Sequence, residues 1–381
     1  MRNYLATSPS SYDFMSRLAL ASGDTPEDAV HYRQARQVPP DAPATLDAAV
    51  LAQMTRHEYA GSRLRGADVQ GLDALAARWY AHYLTTLPTD RTLVVWNGKP
   101  LQIAAAVAAA RTHGSRVVFI ENGLLPGTLA FDTQGINESS FLAKLTWYPH
   151  QDDAALDAVR GWPLTQRPNA SECSHVADDP LPARYLLYLA QVHHDTQITT
   201  ASSPAYPSVV AGAVAAGCAA SELRIPLVIK LHPNDLEWGL ATFRAAVPQA
   251  HLVVHEPLAW LIEKSSLVVT INSSAGFEAR LRGKPVLALG QTMYWPAVAS
   301  NTRPSQLTAQ MADLLDTTPA DAGLVEYCTE LVHYLVPVGG ADDPRRFRKY
   351  HQRLRLLEEG LFDHITSLAA RDLPRSLCGV R

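Results

Sequence analysis

Five polar sequences in this 381-residue chain follow short apolar runs and contain residue types that can do chemistry. They are Asn97-Gly98-Lys99, Glu121-Asn122-Gly123, Gln191-Val192-His193-His194-Asp195, Lys230-Leu231-His232-Pro233 and Asn272-Ser273-Ser274-Ala275-Gly276. Carboxylates can act as nucleophiles or bases, while lysine, histidine and serine can hold an anion or stabilise a departing one. Ligands of open α/β sheets bind beyond the carboxyl ends of the strands, so these strand endings predict the functional site.

The last of these sequences joins a predicted strand directly to a helix. Ser273 and Ser274 would lie at the helix N-terminus, where unpaired N–H groups and the helix dipole favour an anion. Lys230 and His232 end a strand expected nearby and could donate to the same anion. A serine that only caps the helix is the alternative, because capping and phosphate binding use the same geometry. We favour a phosphate site.

Asp195 and Glu121 are the candidate reactive carboxylates. Taken alone, Asp195 could be an ordinary N-cap of the next helix, and Glu121 could form a salt bridge at a strand end. Considered together with the phosphate motifs, the two carboxylates are predicted to be reactive groups, because the residues of an active site should converge on one place.

Two alternating sets of strands and helices position these residues. In the first, strands at 92–97 and 116–121 flank an alanine-rich helix at 101–112, and a helical pattern at 44–87 precedes them. The second set has strands at 185–190, 226–231, 251–255, 267–271 and 286–289, with helices at 208–220, 236–246, 257–264 and 276–282. This alternation predicts an α/β fold with doubly wound, Rossmann-type sheets. Neither a GxGxxG nor a P-loop sequence is present.

We divide the chain into three parts. Residues 1–180 are expected to form an N-terminal Rossmann-like domain that ends in a proline-rich connection at about 149–182. Residues 181–335 are expected to form a C-terminal Rossmann-like domain, and 336–381 a helix that packs back on the N-terminal domain. The arginines of this helix could contact an anionic membrane, but we favour a solvated charged face.

Composition restricts the function further. The net charge of −4 argues against a nucleic-acid binder, so an anionic ligand must be held locally. The four widely spaced cysteines indicate neither a disulfide framework nor a zinc site. The N-terminal residues have no apolar run typical of a signal peptide, so we expect a cytoplasmic protein, at most at the inner face of the membrane.

The motifs from Leu93 to Trp295 resemble those of the capsule-polysaccharide-biosynthesis glycosyltransferases, and most closely those of retaining β-Kdo transferases of capsule and O-antigen assembly. The resemblance rests on Lys230-Leu231-His232-Pro233, followed by Ser273-Ser274-Ala275-Gly276-Phe277-Glu278-Ala279 and Gly283-Lys284-Pro285-Val286. It implies a GT-B-like fold, with two Rossmann-like domains facing each other across a cleft that holds the active site. It also implies that residues 181–335 form the nucleotide-sugar (CMP) domain, with CMP-Kdo as donor and no metal or other cofactor.

The resemblance assigns roles to individual residues. His232-Pro233 and Ser273-Ser274 would hold the CMP phosphate, and Glu256 would contact the ribose. The complete donor set that we predict is Lys230, His232, Pro233, Glu256, Asn272, Ser273, Ser274 and Gly276.

The family's Gln-x-x-x-Asp element resembles the sequence from Gln191 to Asp195, which makes Asp195 the expected nucleophile. Glu121 lies in a sequence similar to the family's second acidic motif and would deprotonate or position the acceptor hydroxyl. Candidate contacts to Kdo or to the acceptor are Gln191, His193, His194, Asn122 and Lys99.

We therefore predict transfer of Kdo from CMP-Kdo to a bacterial polysaccharide or lipid-linked glycan, in β linkage and by double displacement. One alternative keeps the fold and changes the donor to CMP-sialic acid or a UDP- or GDP-sugar. Another is a metal-dependent hydrolase, although the histidine spacing matches no motif such as HExxH. The last is a non-catalytic polysaccharide-binding or export protein.

Overall fold

The computed structural model describes residues 1–31, 69–145, 151–162, 181–338 and 346–360, together with 48, 50–52, 54 and 55. The chain divides into two compact units. The first combines Met1–Pro149 with Glu330–Arg381, and the second is His150–Thr329.

Strands and helices alternate along most of the described chain. The strands are β1 (Arg2–Leu5), β2 (Val30–His31), β3 (Thr92–Trp96), β4 (Val117–Asn122), β5 (Thr128–Asp132), β6 (Leu186–Leu189), β7 (Leu227–Lys230), β8 (His251–Val253), β9 (Leu267–Thr270), β10 (Val286–Ala288), β11 (Ala299–Ser300) and β12 (Leu335–Pro337). The main helices are α1 (Pro9–Ala21), α2 (Pro26–Ala29), α3 (Val69–Thr86), α4 (Leu101–Thr112), α5 (Phe141–Lys144), α6 (Asp153–Arg160), α7 (Thr196–Ala201), α8 (Val209–Leu223), α9 (Leu236–Ala246), α10 (Leu258–Lys264), α11 (Ser274–Leu281), α12 (Leu307–Asp316), α13 (Ala322–Tyr334) and α14 (Arg346–Glu358).

The first unit contains a mixed sheet with the strand order β12-β5-β4-β3-β1-β2. Strands β1 to β4 run parallel, whereas β5 is antiparallel to both β4 and β12. Alternate residues of β3 and β4, such as Leu93, Val95 and Phe119, pack in one core cluster with Trp79 and Tyr83 of α3. This packing fixes where β4 ends, and with it the position of the Glu121 backbone.

The second unit contains a fully parallel sheet with the strand order β11-β10-β9-β6-β7-β8. Alternate residues of β6 face opposite cores, with Leu186 and Tyr188 in one cluster and Leu187 and Leu189 in the other. Burial on both faces explains why these strands are continuous apolar runs. The strand order reverses between β6 and β9, which is the topological switch point of a doubly wound sheet.

The prediction of an α/β fold with two Rossmann-like units is confirmed. In the structure the first unit ends at Pro149 and the second begins at His150, earlier than the predicted boundary at 180, and α6 lies in the second unit. The predicted connection at 149–182 lies outside the described residues except for 151–162 and 181–182. The helical pattern predicted at 44–87 is described as a bounded helix only at α3.

The chain returns to the first unit through α13, β12 and α14. Tyr350, Leu354 and Leu357 of α14 are buried, and Phe347 and Tyr350 contact Phe14 of α1. At the C-terminal end of α14, Glu358 accepts two hydrogen bonds of 2.7 Å from the Arg2 guanidinium of β1. An apolar face thus fixes α14, while Arg348 and Arg355 are exposed.

No helix within the described ranges is both long and apolar enough to cross a bilayer.

Glu330 in α13 makes stability depend on pH. Its side chain is buried, and loss of hydration raises the pKa of the carboxyl to about 7. The raised pKa means that the native state favours the protonated form, so the free energy of unfolding should fall as pH rises from about 4.5 to about 7. We expect the free energy of unfolding of Glu330→Gln to exceed that of the wild type by up to about 3 kcal/mol at pH 8 and by less than about 1 kcal/mol at pH 5. Denaturant unfolding at both pH values measures this difference.

The exposed residue Glu222 on α8 provides the control. Glu222→Gln should change stability by less than about 0.5 kcal/mol at either pH, as surface substitutions usually do. An equal pH dependence in the wild type and in Glu330→Gln would contradict this account.

Candidate functional site

Side chains from the ends of β6 and β9 bind each other across the switch point. The Gln191 amide donates to Asn272 Oδ1 at 2.9 Å, and the Asn272 backbone N–H donates back to Gln191 Oε1 at 3.1 Å. Thr270 also donates to Gln191 Oε1, at 3.4 Å. Gln191, Asn272 and Thr270 are 7 %, 2 % and 0 % exposed, so these are buried bonds. Gln191 and Asn272 were predicted to contact the substrate, whereas here their amides bind each other.

The same network reaches the element that carries the proposed nucleophile. Asn272 Nδ2 donates to the backbone carbonyl of Gln197 at 3.0 Å, in the first turn of α7. Asp195 is the N-cap of α7, and its Oδ1 accepts from the Gln197 N–H at 2.8 Å. Asp195 therefore caps α7, as the alternative predicted, but it does so with only one of its two carboxylate oxygens. Asp195 Oδ2 has no hydrogen bond to the residues that the structure describes, so the half-buried carboxylate keeps one oxygen for chemistry.

The start of α11 has the geometry of an anion site. Ser273 caps the helix, with its hydroxyl accepting from the Ala275 N–H at 3.3 Å. The Ser274 side chain is exposed, and its backbone N–H has no hydrogen bond to the described residues. Such an N–H at a helix N-terminus can bind phosphate.

Tyr294 fixes the start of α11 from behind. Its hydroxyl donates to the backbone carbonyl of Ser273, and a Cβ on Gly276 would lie 2.6 Å from the same hydroxyl. Gly276 is therefore required for close packing, which leaves the outer side of the first turn, with Ser274, exposed. Gly276 was predicted to belong to the sugar-donor site, and in this structure it allows Tyr294 to approach the start of α11.

His232, Lys230 and Glu256 lie at the ends of β7 and β8. His232 Nδ1 accepts from the Asn234 N–H at 3.2 Å, so the neutral ring carries its proton on Nε2. Lys230 Nζ donates to the carbonyls of Val254 and Leu231 at 2.5 and 3.3 Å. Burial lowers the pKa of Lys230, and the nearby Glu256 carboxylate opposes that effect. Lys230 thus binds the backbone that leads to Glu256.

Two residues at this edge were missed by sequence reasoning. Asp235 Oδ2 accepts from both the backbone N–H and the ring Nδ1 of His193, at 2.9 and 2.8 Å. Trp238 stacks on the same imidazole, with the ring centroids 4.1 Å apart. Asp235 and Trp238 lie at the start of the predicted helix at 236–246, where acidic and aromatic residues are ordinary, so the pattern alone did not single them out.

The first unit contains the remaining candidates. Glu121 Oε2 accepts from the Asn97 amide at 2.7 Å, and its Oε1 accepts from the Asn122 backbone N–H at 2.8 Å. Lys99 forms an ion pair with Glu138 at 2.7 Å, and both side chains are largely buried. Lys99 was predicted to contact Kdo or the acceptor, yet here it already has a carboxylate partner within the protein.

The predicted site residues therefore lie in two different parts of the structure. Lys230, Pro233, Glu256 and the residues of the switch point lie at one edge of the second sheet, whereas Glu121, Asn122 and Lys99 lie in the first unit. No three His, Cys, Asp or Glu side chains in the described part of the chain are grouped to hold a metal ion. The metal-dependent hydrolase alternative thus has no ligand cluster there.

The buried Gln191 amide should be essential for stability. Gln191→Leu has nearly the same size, but it leaves Asn272 Oδ1 and the Asn272 N–H without partners. Buried polar groups without partners cost about 1–3 kcal/mol each, so we expect the two groups together to lower the free energy of unfolding by about 2–6 kcal/mol. Urea unfolding followed by circular dichroism measures this loss.

The exposed Gln306 of the same unit, whose side chain does not cap α12, is the matched control. Gln306→Leu should cost less than about 0.5 kcal/mol. Equal costs for the two substitutions would show that the Gln191–Asn272 pair does not stabilise the switch point.

Comparison with known proteins finds similarity over part of the chain. Residues 165–309 match the family described as "Capsule polysaccharide biosynthesis protein". Protein FixF of Sinorhizobium fredii is 28 % identical over 222 residues, which cover 58 % of this chain and 54 % of the relative. The chain thus spans about half the length of this curated relative. The predicted resemblance to capsule-polysaccharide proteins is confirmed over 165–309, a segment that includes Asp195, His232 and Ser273.

One solved structure extends the likeness to the fold. The β-Kdo 2,7 transferase KpsC of Thermosulfurimonas dismutans aligns with a TM-score of 0.50 at 14 % identity, covering 94 % of this chain and all of that one. The β-Kdo 2,4 transferase KpsC of the same organism gives a TM-score of 0.48 at 15 % identity, covering 86 % and 89 % of the two chains. The first alignment shows a shared fold across nearly the whole chain.

Proposed function

We propose that this chain is a retaining glycosyltransferase that moves Kdo from CMP-Kdo to a bacterial polysaccharide or lipid-linked glycan in β linkage. The observation that supports this proposal most is the arrangement at the switch point of the second unit. There, one hydrogen-bond network joins the cap of α7 to the start of α11. Asp195 Oδ2 at the first of these places and the Ser274 N–H at the second have no hydrogen bond to the described residues.

The groups at this edge of the second sheet suit an anionic sugar donor. CMP carries a single phosphate, which fits one helix N-terminus with the hydroxyls of Ser273 and Ser274 and the N–H of Ser274. His232 would donate from Nε2 to the same phosphate, or stabilise the negative charge that builds on it as CMP departs. Glu256 accepts from the Val254 N–H at 3.0 Å, which holds its carboxylate close to the end of β8, where it would meet the ribose.

Double displacement assigns a role to each carboxylate. Asp195 Oδ2 would attack the anomeric carbon of Kdo, and the bond from that carbon to the phosphate oxygen would break, so that CMP leaves with the electron pair. An acceptor hydroxyl would then attack the same carbon and release Asp195. The two inversions give net retention. Glu121 is the proposed acceptor of the hydroxyl proton, and none of these steps requires a metal or another cofactor.

The covalent step predicts a specific adduct. Incubation with CMP-Kdo and no acceptor should add the mass of one Kdo residue to the intact wild-type chain, and peptide mapping should place it on Asp195. Asp195→Ala should form no adduct and lose at least about 10³-fold in transfer rate, because the displacement has no other nucleophile.

The exposed residue Asp157 on α6 is the control, since Asp157→Ala removes one carboxylate from the same unit. This variant should form the adduct at the wild-type rate. Near-full transfer activity in Asp195→Ala would contradict the double displacement.

The identity of the nucleotide can be tested by binding alone. A ligand that binds only the folded state raises stability by about 2.7 kcal/mol at one hundred times its dissociation constant, so CMP should raise the melting temperature more than UDP or GDP at equal concentration. Ser273→Ala should weaken CMP binding by about 10- to 150-fold, since a hydrogen bond to a charged group contributes about 1.5–3 kcal/mol.

The alternatives predict different rankings. A UDP- or GDP-sugar transferase would respond most to UDP or GDP. A polysaccharide-binding or export protein would respond to no nucleotide while binding polymer, and either result would contradict the proposed donor.

A further inference from the structure

His193 is held on several sides by the second unit. Its backbone N–H and its ring Nδ1 both reach Asp235 Oδ2, at 2.9 and 2.8 Å, and Trp238 stacks on its ring with an interplanar angle of 23°. On the other side, its Nε2 lies 3.3 Å from Nδ1 of His194. The His193 side chain is 27 % exposed and that of Asp235 is 9 % exposed. A substrate contact alone does not require such an enclosure.

The bond to Asp235 joins two loops that carry different parts of the proposed chemistry. His193 precedes Asp195 by two residues in the loop after β6. Asp235 ends the short 3-10 turn Pro233–Asp235 that His232 caps after β7. The Asp235 N–H also donates to the His232 carbonyl at 3.0 Å, so this carboxylate and the backbone of His232 belong to one compact turn.

We propose that the His193–Asp235 pair is a positioning device that sets Asp195 at a fixed distance from His232. His193 is then a positioning residue, where the sequence had suggested a contact to Kdo or to the acceptor, and Asp235 and Trp238 are its supports. The inference rests on the proposed function, because it assigns the pair to the geometry between the nucleophile and the leaving phosphate.

The ends of the Asp195 loop and its middle are anchored separately. Gln191 ties the first residue to Asn272 at the end of β9, and Asn272 also donates to the Gln197 carbonyl just after Asp195, whereas His193 ties the middle to Asp235 after β7. With the first anchor, to Asn272, alone, the segment from Val192 to Asp195 would be held only at its two ends and could shift between them. A misplacement of about 1 Å at a reacting atom can cost about 10²-fold in rate, so the second anchor should act on the chemical step more than on binding.

The test compares Asp235→Asn, His193→Phe and the double variant with the wild type. Phenylalanine keeps a ring against Trp238 and the backbone N–H bond to Asp235 while losing the bond from the imidazole ring, and asparagine keeps the size of Asp235 while losing its charge. Each single variant should lower kcat for CMP release from CMP-Kdo by about tenfold or more, with the dissociation constant of CMP within about threefold of the wild type. The double variant should lose no more than the worse single variant, because both remove the same interaction.

Glu237→Gln is the matched control. Glu237 is an exposed acid in the first turn of α9, two residues after Asp235, and its substitution changes the net charge in the same way as Asp235→Asn. This control should retain wild-type kcat. Additive losses in the double variant, or unchanged kcat in both single variants, would overturn the positioning role.

A second measurement is independent of activity. The Gln197 N–H donates to Asp195 Oδ1, so its hydrogen exchange reports directly on the Asp195 loop. Exchange at Gln197 should become about tenfold faster in Asp235→Asn and in His193→Phe and remain unchanged in Glu237→Gln. If exchange rises as expected but the wild type releases no CMP from CMP-Kdo, the proposed function fails and the anchor remains. Unchanged exchange in both variants overturns the anchor.

Discussion

The amide pair between Gln191 and Asn272 is the interaction on which the site depends. It crosses the point where the strand order of the second sheet reverses, and a parallel sheet places the carboxyl ends of β6 and β9 side by side there. Because the pair is buried, each of its polar atoms must be satisfied inside the protein. Asn272 then extends the network to α7, so the caps of two helices form one rigid edge.

This arrangement explains how a chain with a net charge of −4 could bind an anionic donor. No long-range basic field is needed, because helix N-termini and short polar loops supply local positive potential. Several residues that looked suited to contact the substrate instead make structural contacts within their own unit. Lys230 binds backbone carbonyls, Lys99 pairs with Glu138, and Gly276 makes room for Tyr294.

Sequence patterns predicted the parallel strands well, because strands buried on both faces are continuous apolar runs such as Leu186–Leu189. The first strand, Arg2–Leu5, was missed since four residues show no periodicity, although it lies between β3 and β2 in the sheet. Asp195 was read either as a cap or as a nucleophile, and the structure shows that capping uses only one oxygen. Asp235 could not be singled out, because its partner His193 is distant in sequence and no local pattern marks that pairing.

We propose that the switch point of the second unit binds a CMP-linked donor with Asp195 beside it. A crystal structure of the chain with CMP bound tests this proposal. The phosphate should lie against the N–H of Ser274 and the hydroxyl of Ser273, with His232 within hydrogen-bond distance and Asp195 Oδ2 facing the position of the departing sugar. CMP bound at any other edge of the sheet, or a phosphate with Asp195 turned away from it, would show that the switch point is not the donor site.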